Sequence, residues 1–176
     1  YPTISAAMSS LSYSDPGIPT AIYVHPGIYE EPDTITIPAN VYIIGIGMQP
    51  VVVVPGWVSP DRPLFRFSNG ENGIAFMSIA GGSGDEYAVE FVDSGDYSLV
   101  FKCDVSDWRN CFKANADLVE SYVYLEYVST NFDDTIIGNN SVFIDCYSAN
   151  ARLSFSIENG FFFGPCNNHI WVEGSN

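Results

Sequence analysis

The sequence predicts an all-β protein, a single-stranded right-handed parallel β-helix (solenoid) with a short N-terminal capping helix. A short strand motif returns along the second half of the chain, beginning at residues 74, 99, 123, 142 and 161. A second series of short strands lies between these, beginning at residues 65, 89, 111, 136 and 154. Strands that recur at such a spacing indicate coils of chain stacked on one another. Function is then expected on a lateral face, at an end, or in assembly.

The N-terminal elements are predicted from local patterns. Residues Ile4, Ala7, Met8 and Leu11 recur at helical spacing, which predicts a short amphipathic helix within a cap over residues 1–12. Short apolar runs predict strands, and prolines predict a projecting loop over 55–63. The whole chain, 1–176, is predicted to be one domain. The predicted early strands are 21–24, 34–37, 41–44 and 51–54.

The later strands could also pair as an antiparallel sandwich, which is the alternative fold. Turn signals such as Asn69-Gly70 and Asn159-Gly160 are typical of tight hairpins. The recurrence in phase favours parallel stacking, in which corner amides hydrogen-bond along the axis. The remaining predicted corners are 93–95, 115–116 and 139–140.

Composition limits the partners. The net charge is −15, with only six Lys and Arg, so nucleic acid and polyanionic sugars are disfavoured. No apolar run is long enough for a membrane span, and no signal peptide is visible. Residues 170–172 resemble another strand rather than a polar cap, which predicts either a piece of a longer protein or an oligomer that covers its own open end. The expected partners are further copies of the chain or other structural subunits, because an uncovered strand edge tends to aggregate.

Three of the four cysteines, Cys103, Cys146 and Cys166, end strands that the repeat makes equivalent. They are therefore predicted to lie over one another inside the stack as free structural thiols, which favours assembly in a reducing compartment. Cys111 is the fourth. No cysteine and histidine spacing typical of zinc is present, so no metal and no cofactor are predicted.

Three segments carry a family resemblance: YPTISAA at 1–7, AIYVHPGIYE at 21–30 and VYIIGIG at 41–47. They resemble the opening of pectin-lyase-like right-handed β-helix proteins, closest to the pectinesterase branch. The later segments 87–91, 101–103, 134–139 and 160–163 are also similar to that branch. The resemblance implies a β-helix fold and, in a complete site, hydrolysis of a pectin-like ester.

The resemblance also implies catalytic positions. The family's nucleophile motif is similar to 134–139, which places Asp134 at the nucleophile. The general-acid motif aligns with 107–112, where Asn110 replaces the acid and Arg109 replaces a glutamine. Because an amide cannot shuttle a proton, the motifs are degenerate. A calcium site built from Asp104, Asp107 and Asp133 or Asp134 with Arg109 is the lyase-like alternative.

Aromatic side chains are the candidate carbohydrate contacts. Trp108, Tyr122 and Tyr147 are predicted to stack on sugar rings, with core filling as the alternative for half of such residues. The sequence therefore predicts a non-catalytic structural or surface module at a virion or cell surface that contacts polysaccharide. The alternative is a pectinesterase-like or lyase-like enzyme.

Overall fold

A computed structural model describes the chain at residues 1–11, 18–57, 62–68, 70–81, 87–92, 97–108, 110–115, 120–131, 138–146, 152–163 and 166–174. Within these ranges the chain forms one short helix and sixteen strands. They are α1 (Ile4–Ser9), β1 (Thr20–Val24), β2 (Gly27–Glu31), β3 (Ile35–Ile37), β4 (Val41–Gly45), β5 (Val51–Pro55), β6 (Phe65–Ser68), β7 (Asn72–Ala80), β8 (Tyr87–Val92), β9 (Tyr97–Ser106), β10 (Asn110–Asn115), β11 (Glu120–Glu126), β12 (Ser129–Asn131), β13 (Gly138–Cys146), β14 (Arg152–Glu158), β15 (Phe161–Phe163) and β16 (Cys166–Gly174).

The strands stack in parallel on three faces of a solenoid. Face 1 has the order β1-β4-β7-β9-β11-β14, and face 3 has the order β3-β6-β8-β10-β13-β16. Face 2 joins β2, β5, β12 and β15 through the C-terminal halves of β7 and β9. All the strand pairs are parallel, so the predicted parallel solenoid is confirmed and the antiparallel sandwich is wrong. Right-handed winding stays a prediction, and it agrees with the general preference of parallel crossovers.

Alternation along each strand fills the interior. In β4, Val41 and Ile43 point inward and are buried, whereas Tyr42 and Ile44 point outward. The parallel register repeats this on successive strands, because Ile43 pairs with Ile22 on one side and Ile74 on the other. The inward positions therefore form continuous apolar columns along the axis, which supply the hydrophobic stabilisation of the fold.

The helix closes the first coil as predicted. Ile4 and Met8 are buried on its inner side, and it contacts β2 and β3. Its N-terminus is held by Glu31, which is 0% exposed: Ile4 N donates to Oε1 at 2.6 Å and Ser5 N donates to Oε2 at 3.0 Å. Because a helix N-terminus carries unpaired N–H groups, this carboxylate is a cap supplied from the solenoid itself.

The chain bends between faces 1 and 2 at one position in successive coils. The residues at this position have left-handed backbone conformations, which non-glycine residues rarely adopt. They are Phe76 (φ 58°), Lys102 (φ 50°), Tyr127 (φ 52°) and Asn159 (φ 53°). We call these four residues the bend column. The register of the flanking strands places them on neighbouring coils, so the bend belongs to the coil geometry rather than to one residue type.

An internal amide links coils along the axis. Asn72 Nδ2 donates to Ile37 O at 3.3 Å and to Ser68 O at 2.9 Å. Ser98 Oγ, from the next coil, donates to Asn72 Oδ1 at 2.8 Å. Both side chains are buried, so each bond satisfies a polar group that would otherwise be costly. The predicted axial amide bonding is therefore present at Asn72, which the turn signals did not identify.

Several local predictions are wrong. The two strand series exchange faces after Tyr127: 142–146 lies in β13 on face 3, and 154–157 lies in β14 on face 1. The cysteines consequently do not stack, because Cys103 is opposite Met77, Cys146 is opposite Gly174 and Cys166 is opposite Gly138. The apolar patterns of the faces are alike, so residue spacing alone cannot assign a strand to its face.

Some of the predicted corners agree with the structure and others do not. Asn159 adopts a left-handed conformation before Gly160, as a turn requires. Residues 139–140 lie inside β13, so that corner is wrong. Strand β10 ends at Asn115, and residue 116 of the predicted corner 115–116 lies outside the described residues. Residues 93–95 and the middle of the predicted projecting loop, 58–61, lie outside the described residues. The extra strand predicted at 170–172 is confirmed, since it lies within β16.

Candidate functional site

The three degenerate catalytic positions are only partly described. Asn110 begins β10 on face 3, opposite Tyr87 on one side and Asn140 on the other, and it is 6% exposed. A buried amide at this place can hydrogen-bond but cannot act as a general acid at neutral pH. Arg109 and Asp134 lie outside the described residues, so their distances to Asn110 stay untested.

The three predicted sugar contacts have different positions. Trp108 is fully buried, so it takes the core-filling alternative. The reason is its close packing on Gly81 of the neighbouring coil, where an added Cβ would approach Trp108 Cδ1 to 2.8 Å. Tyr122 lies on the outer side of face 1 and is half-buried. Tyr147 lies outside the described residues.

Face 1 carries a stack of tyrosine rings on its outer side. Tyr97 stacks on Tyr122 with ring centroids 5.0 Å apart and planes 20° from parallel. It also stacks on Tyr124, at 6.0 Å and 22°. We call Tyr97, Tyr122 and Tyr124 the tyrosine ladder. Tyr97 is 47% exposed and Tyr124 is 36% exposed, so the ladder presents ring edges and hydroxyls to solvent.

The strand register explains the ladder. Tyr97 of β9 is directly opposite Tyr122 of β11, and Tyr124 is two residues further along the same strand. Side chains two residues apart in a strand share a face, and strands of one sheet are about 4.8 Å apart. Ring stacking at this spacing stabilises the sheet through cross-strand contact.

A lysine surrounded by aromatic rings lies further along face 1, at the bend. Lys102 Nζ is 5.6 Å from the Phe76 ring, 5.2 Å from Phe101 and 5.6 Å from Tyr127. Phe101 meets Phe76 and Tyr127 edge-on, at 5.3 Å and 6.0 Å between centroids. We call these four residues the Lys102 cluster. An ammonium over ring faces is stabilised by cation–π attraction, so the ammonium is already in contact with the protein's own rings.

The outer side of face 1 is also acidic. Glu126 and Glu158 are directly opposite each other on β11 and β14, and neither takes part in an ion pair among the described side chains.

Near the other end of the face, the pKa of Tyr42 is raised above its usual value. Burial is the larger cause, and the negative charge of Glu71 is the smaller one. That phenol therefore stays protonated and remains a hydrogen-bond donor over a wider pH range.

Face 3 arranges its charges differently. Glu90 is almost fully buried, accepts a hydrogen bond from Arg66 Nε at 2.8 Å and has Lys113 Nζ 3.7 Å from its other oxygen. Lys113 also lies 4.6 Å above the Tyr87 ring. The two cations and one carboxylate hold each other across three strands, so these groups tie neighbouring coils together.

A cleft of about 460 Å³ lies at the N-terminal end, between α1 and β1. Aromatic side chains line it, among them Tyr1, Tyr23 and Tyr29, together with His25. Tyr29 Oη donates to His25 O at 2.9 Å, which fixes the phenol at the wall. None of the residues predicted to form a site lies in this cleft.

Two further properties concern metals and membranes. Among the side chains that are described, no three His, Cys, Asp or Glu residues come close enough together to hold a metal ion. Asp104 is hydrogen-bonded by Ser129 Oγ, whereas Asp133 and Asp134 of the calcium alternative lie outside the described residues. The one described helix, α1, is too short to cross a bilayer.

The fold and the outer surface together define the class of protein: a parallel β-solenoid with an acidic, tyrosine-bearing lateral face. No family model matches the chain, and neither the curated proteins nor the solved structures include a match. The solenoid is therefore the level at which the chain is classified, and membership of the pectin-lyase-like family stays a prediction from the resemblance.

The sequence interpretation missed Tyr124 and the Lys102 cluster. A signal for Tyr124 was present, because Tyr122-Val123-Tyr124 alternates with period two and must place both phenols on one side of a strand. No comparable signal existed for the cluster. Its assembly depends on the left-handed bend at Lys102, which no neighbouring turn-forming residue indicates in the sequence.

Proposed function

We propose that this chain is a non-catalytic structural and surface module of a virion or cell envelope, and that it contacts carbohydrate along face 1. The observation that carries the carbohydrate contact is the tyrosine ladder. Its exposed ring edges and hydroxyls offer apolar surface and hydrogen bonding side by side, the combination that sugars require. The virion or envelope setting rests on analogy with the use of this fold in fibres.

The non-catalytic part of the proposal is supported by Asn110. The amide is buried in β10 at the position that the family resemblance assigns to the general acid. A proton donor would have to come from elsewhere for the second step of ester hydrolysis. A solenoid with axial hydrogen bonds and continuous apolar columns suits a rigid spacer, whose partners are copies of itself or other structural subunits.

The carbohydrate contact is tested by glycan-array screening of the purified chain, followed by calorimetric titration of the strongest binder. The Tyr122→Ala/Tyr124→Ala variant should weaken that binding by about tenfold or more, because two of the three stacked rings are removed. Tyr23→Ala is the matched control, since Tyr23 is exposed on face 1 but three strands from the ladder, and it should bind as the unmodified chain does.

Two results would contradict the proposal. The absence of saturable binding to any glycan would remove the carbohydrate contact. Methanol release from methylated pectin, or absorbance of unsaturated products, would remove the non-catalytic assignment if Asp134→Ala abolished it. In that case the esterase or lyase alternative would replace our proposal.

A further inference from the structure

The tyrosine ladder ends at a step. On β14, the positions opposite Tyr122 and Tyr124 are Ser154 and Ser156, so the ring stack is not continued on that strand. Ser154 is exposed and Ser156 is half-buried. A serine side chain is much shorter than a phenol, so the step leaves room for a ring on the β14 side of the ladder. Its floor offers hydroxyl groups that donate and accept hydrogen bonds.

Two carboxylates border the step. Glu126 follows Tyr124 by two residues and Glu158 follows Ser156 by two, so both are on the same outer side. Like charges directly opposite on neighbouring strands repel each other. Neither carboxylate is paired with a cation in the described part of the chain, which leaves a local negative potential that a positively charged ligand would relieve.

The four Lys and Arg side chains that the structure describes make their contacts elsewhere. Among the described side chains, Lys102 lies within its cluster of rings and Arg62 lies 4.7 Å from the Trp57 ring. Arg66 and Lys113 are held by Glu90 on face 3. The protein thus places positive charge over aromatic rings or beside carboxylates repeatedly, and the six residues of the step combine both environments without including a cation. Arg152 lies two residues before Ser154, at the end of β14 away from Glu158.

We infer that the step of face 1 (Tyr122, Tyr124, Ser154, Ser156, Glu126 and Glu158) binds an amino sugar with a protonated amine. This inference rests on the proposed function and narrows its ligand class. The apolar face of the pyranose continues the ring stack over the serines, and its ammonium lies towards Glu126 and Glu158. Sugar hydroxyls hydrogen-bond the serine hydroxyls. A uronate would instead bring a third negative charge to the carboxylate pair.

Matched tetrasaccharides test the ligand class by calorimetry with the whole chain at about pH 5.5. The probes are the β-1,4 tetramer of glucosamine, the same tetramer fully N-acetylated, and the tetramer of galacturonate. The glucosamine tetramer should bind about tenfold more tightly than the N-acetylated one, and galacturonate should bind most weakly. Tetralysine is included as a probe that carries charge without a sugar ring.

Three variants locate the site. Glu126→Gln/Glu158→Gln should remove the preference for the free amine, whereas Glu30→Gln, a single-charge control on exposed β2, should keep it. Ser154→Tyr should abolish sugar binding by filling the step while adding a ring to the ladder. Unchanged thermal unfolding of Ser154→Tyr shows that the loss of binding is not a loss of fold.

The results separate this inference from the proposed function. Equal affinity for the glucosamine and N-acetylated tetramers overturns the amino-sugar inference and leaves carbohydrate contact standing. Tetralysine binding as tightly as the glucosamine tetramer also overturns it, because the site would then recognise basic peptide charge rather than a sugar. Sugar binding that Ser154→Tyr leaves intact moves the contact away from the step. No binding to any glycan overturns both.

Discussion

The thiol of Cys103 shows how the interior treats an ionisable side chain. It lies opposite Met77 of the adjacent coil and is fully buried. Burial raises its pKa from 9.0 to about 12, and hydrogen bonds from the backbone only partly oppose this shift. The Cys103 thiol donates a hydrogen bond to Phe101 O, with Sγ 3.5 Å from the oxygen. The group therefore behaves as a small apolar residue with one weak donor.

This shift predicts a loss of stability at high pH. The unfolded thiol ionises above its ordinary pKa of 9.0, whereas the folded thiol keeps its proton until about 12, so the folded state binds more protons in that window. The free energy of unfolding should then fall by about 1.4 kcal/mol per pH unit from this group. Below pH 9.0 the contribution should be constant.

Urea unfolding of the unmodified chain and of Cys103→Ala, measured from about pH 8 to about pH 10.5, checks this expectation. The difference between the two proteins isolates Cys103 from the tyrosines, which titrate in both. Parallel curves for the two proteins across this range would show that the buried thiol ionises as readily as an exposed one.

The sequence allowed only some of the side chains on the outer surface to be predicted. Alternation places Tyr122 outward, as its proposed role requires, and the same rule covers Tyr124. The burial of Trp108 could not be derived, because it depends on the close approach of Gly81 from a coil distant in sequence. Aromatic residues at corners are therefore ambiguous until the stacking of coils is known.

Among the elements, the bend between faces 1 and 2 puts the strictest limit on the size of a neighbouring side chain. Gly45 follows Ile44, which is opposite Ala75, and an added Cβ at Gly45 would overlap the main-chain oxygen of Phe76 in the bend column. The neighbouring atom is main chain and part of a stacked coil, so it cannot move aside as a flexible side chain could. The absence of a side chain is thus required here by close approach.

Gly45→Ala should therefore destabilise the fold strongly, by about 3 kcal/mol or more, because either the coil spacing or the bend must change. Thr36→Ala is the control, since Thr36 is exposed at the centre of β3 and its truncation should change stability little. Chemical denaturation of both variants measures the difference. Equal stability of the two would mean that the coils can separate at the bend without cost.

Element type was more predictable than element position. The helix α1 follows from the spacing of Ile4 and Met8, and short strands follow from apolar runs. The exchange of the two strand series after Tyr127 could not be predicted, because the faces share one inward pattern. The length of a connection influences which face the next strand joins, but the length alone does not indicate which face that is.

At the scale of the whole molecule, charge opposes compaction. The net charge of −15 is distributed over a chain with only six Lys and Arg. Of these, Arg66 and Lys113 are concentrated on the single carboxylate of Glu90, which leaves most acids without a local counter-charge. Self-repulsion of this kind destabilises the folded state relative to the expanded one.

The free energy of unfolding should consequently rise with ionic strength, by about 1 kcal/mol between low salt and half-molar salt, because screening weakens the repulsion. Urea unfolding in sodium chloride measures this, and potassium chloride is the control, since screening depends on ionic strength rather than on the cation. A flat or falling dependence would indicate that paired charges, rather than repulsion, dominate the surface.

The overall architecture was the most predictable level. Recurring short strands indicated a parallel solenoid before any contact was known, and the sheet order agrees. The candidate site was less accessible, because the step of face 1 exists only through the pairing of β11 with β14. Such a surface depends on which strands become neighbours. Tyr122 and Ser154 are 32 positions apart in the sequence, so no local pattern indicates that their strands pair.

The bend column has one more consequence. The main chain sets the direction of each side chain there. The side chains of Phe76, Lys102, Tyr127 and Asn159 are therefore spaced at regular intervals, one in each successive coil. Whatever chemical group is installed at two of these positions is held at a separation fixed by the number of coils between them, about 4.8 Å for each. The scaffold could thereby space spectroscopic labels or displayed epitopes in defined increments.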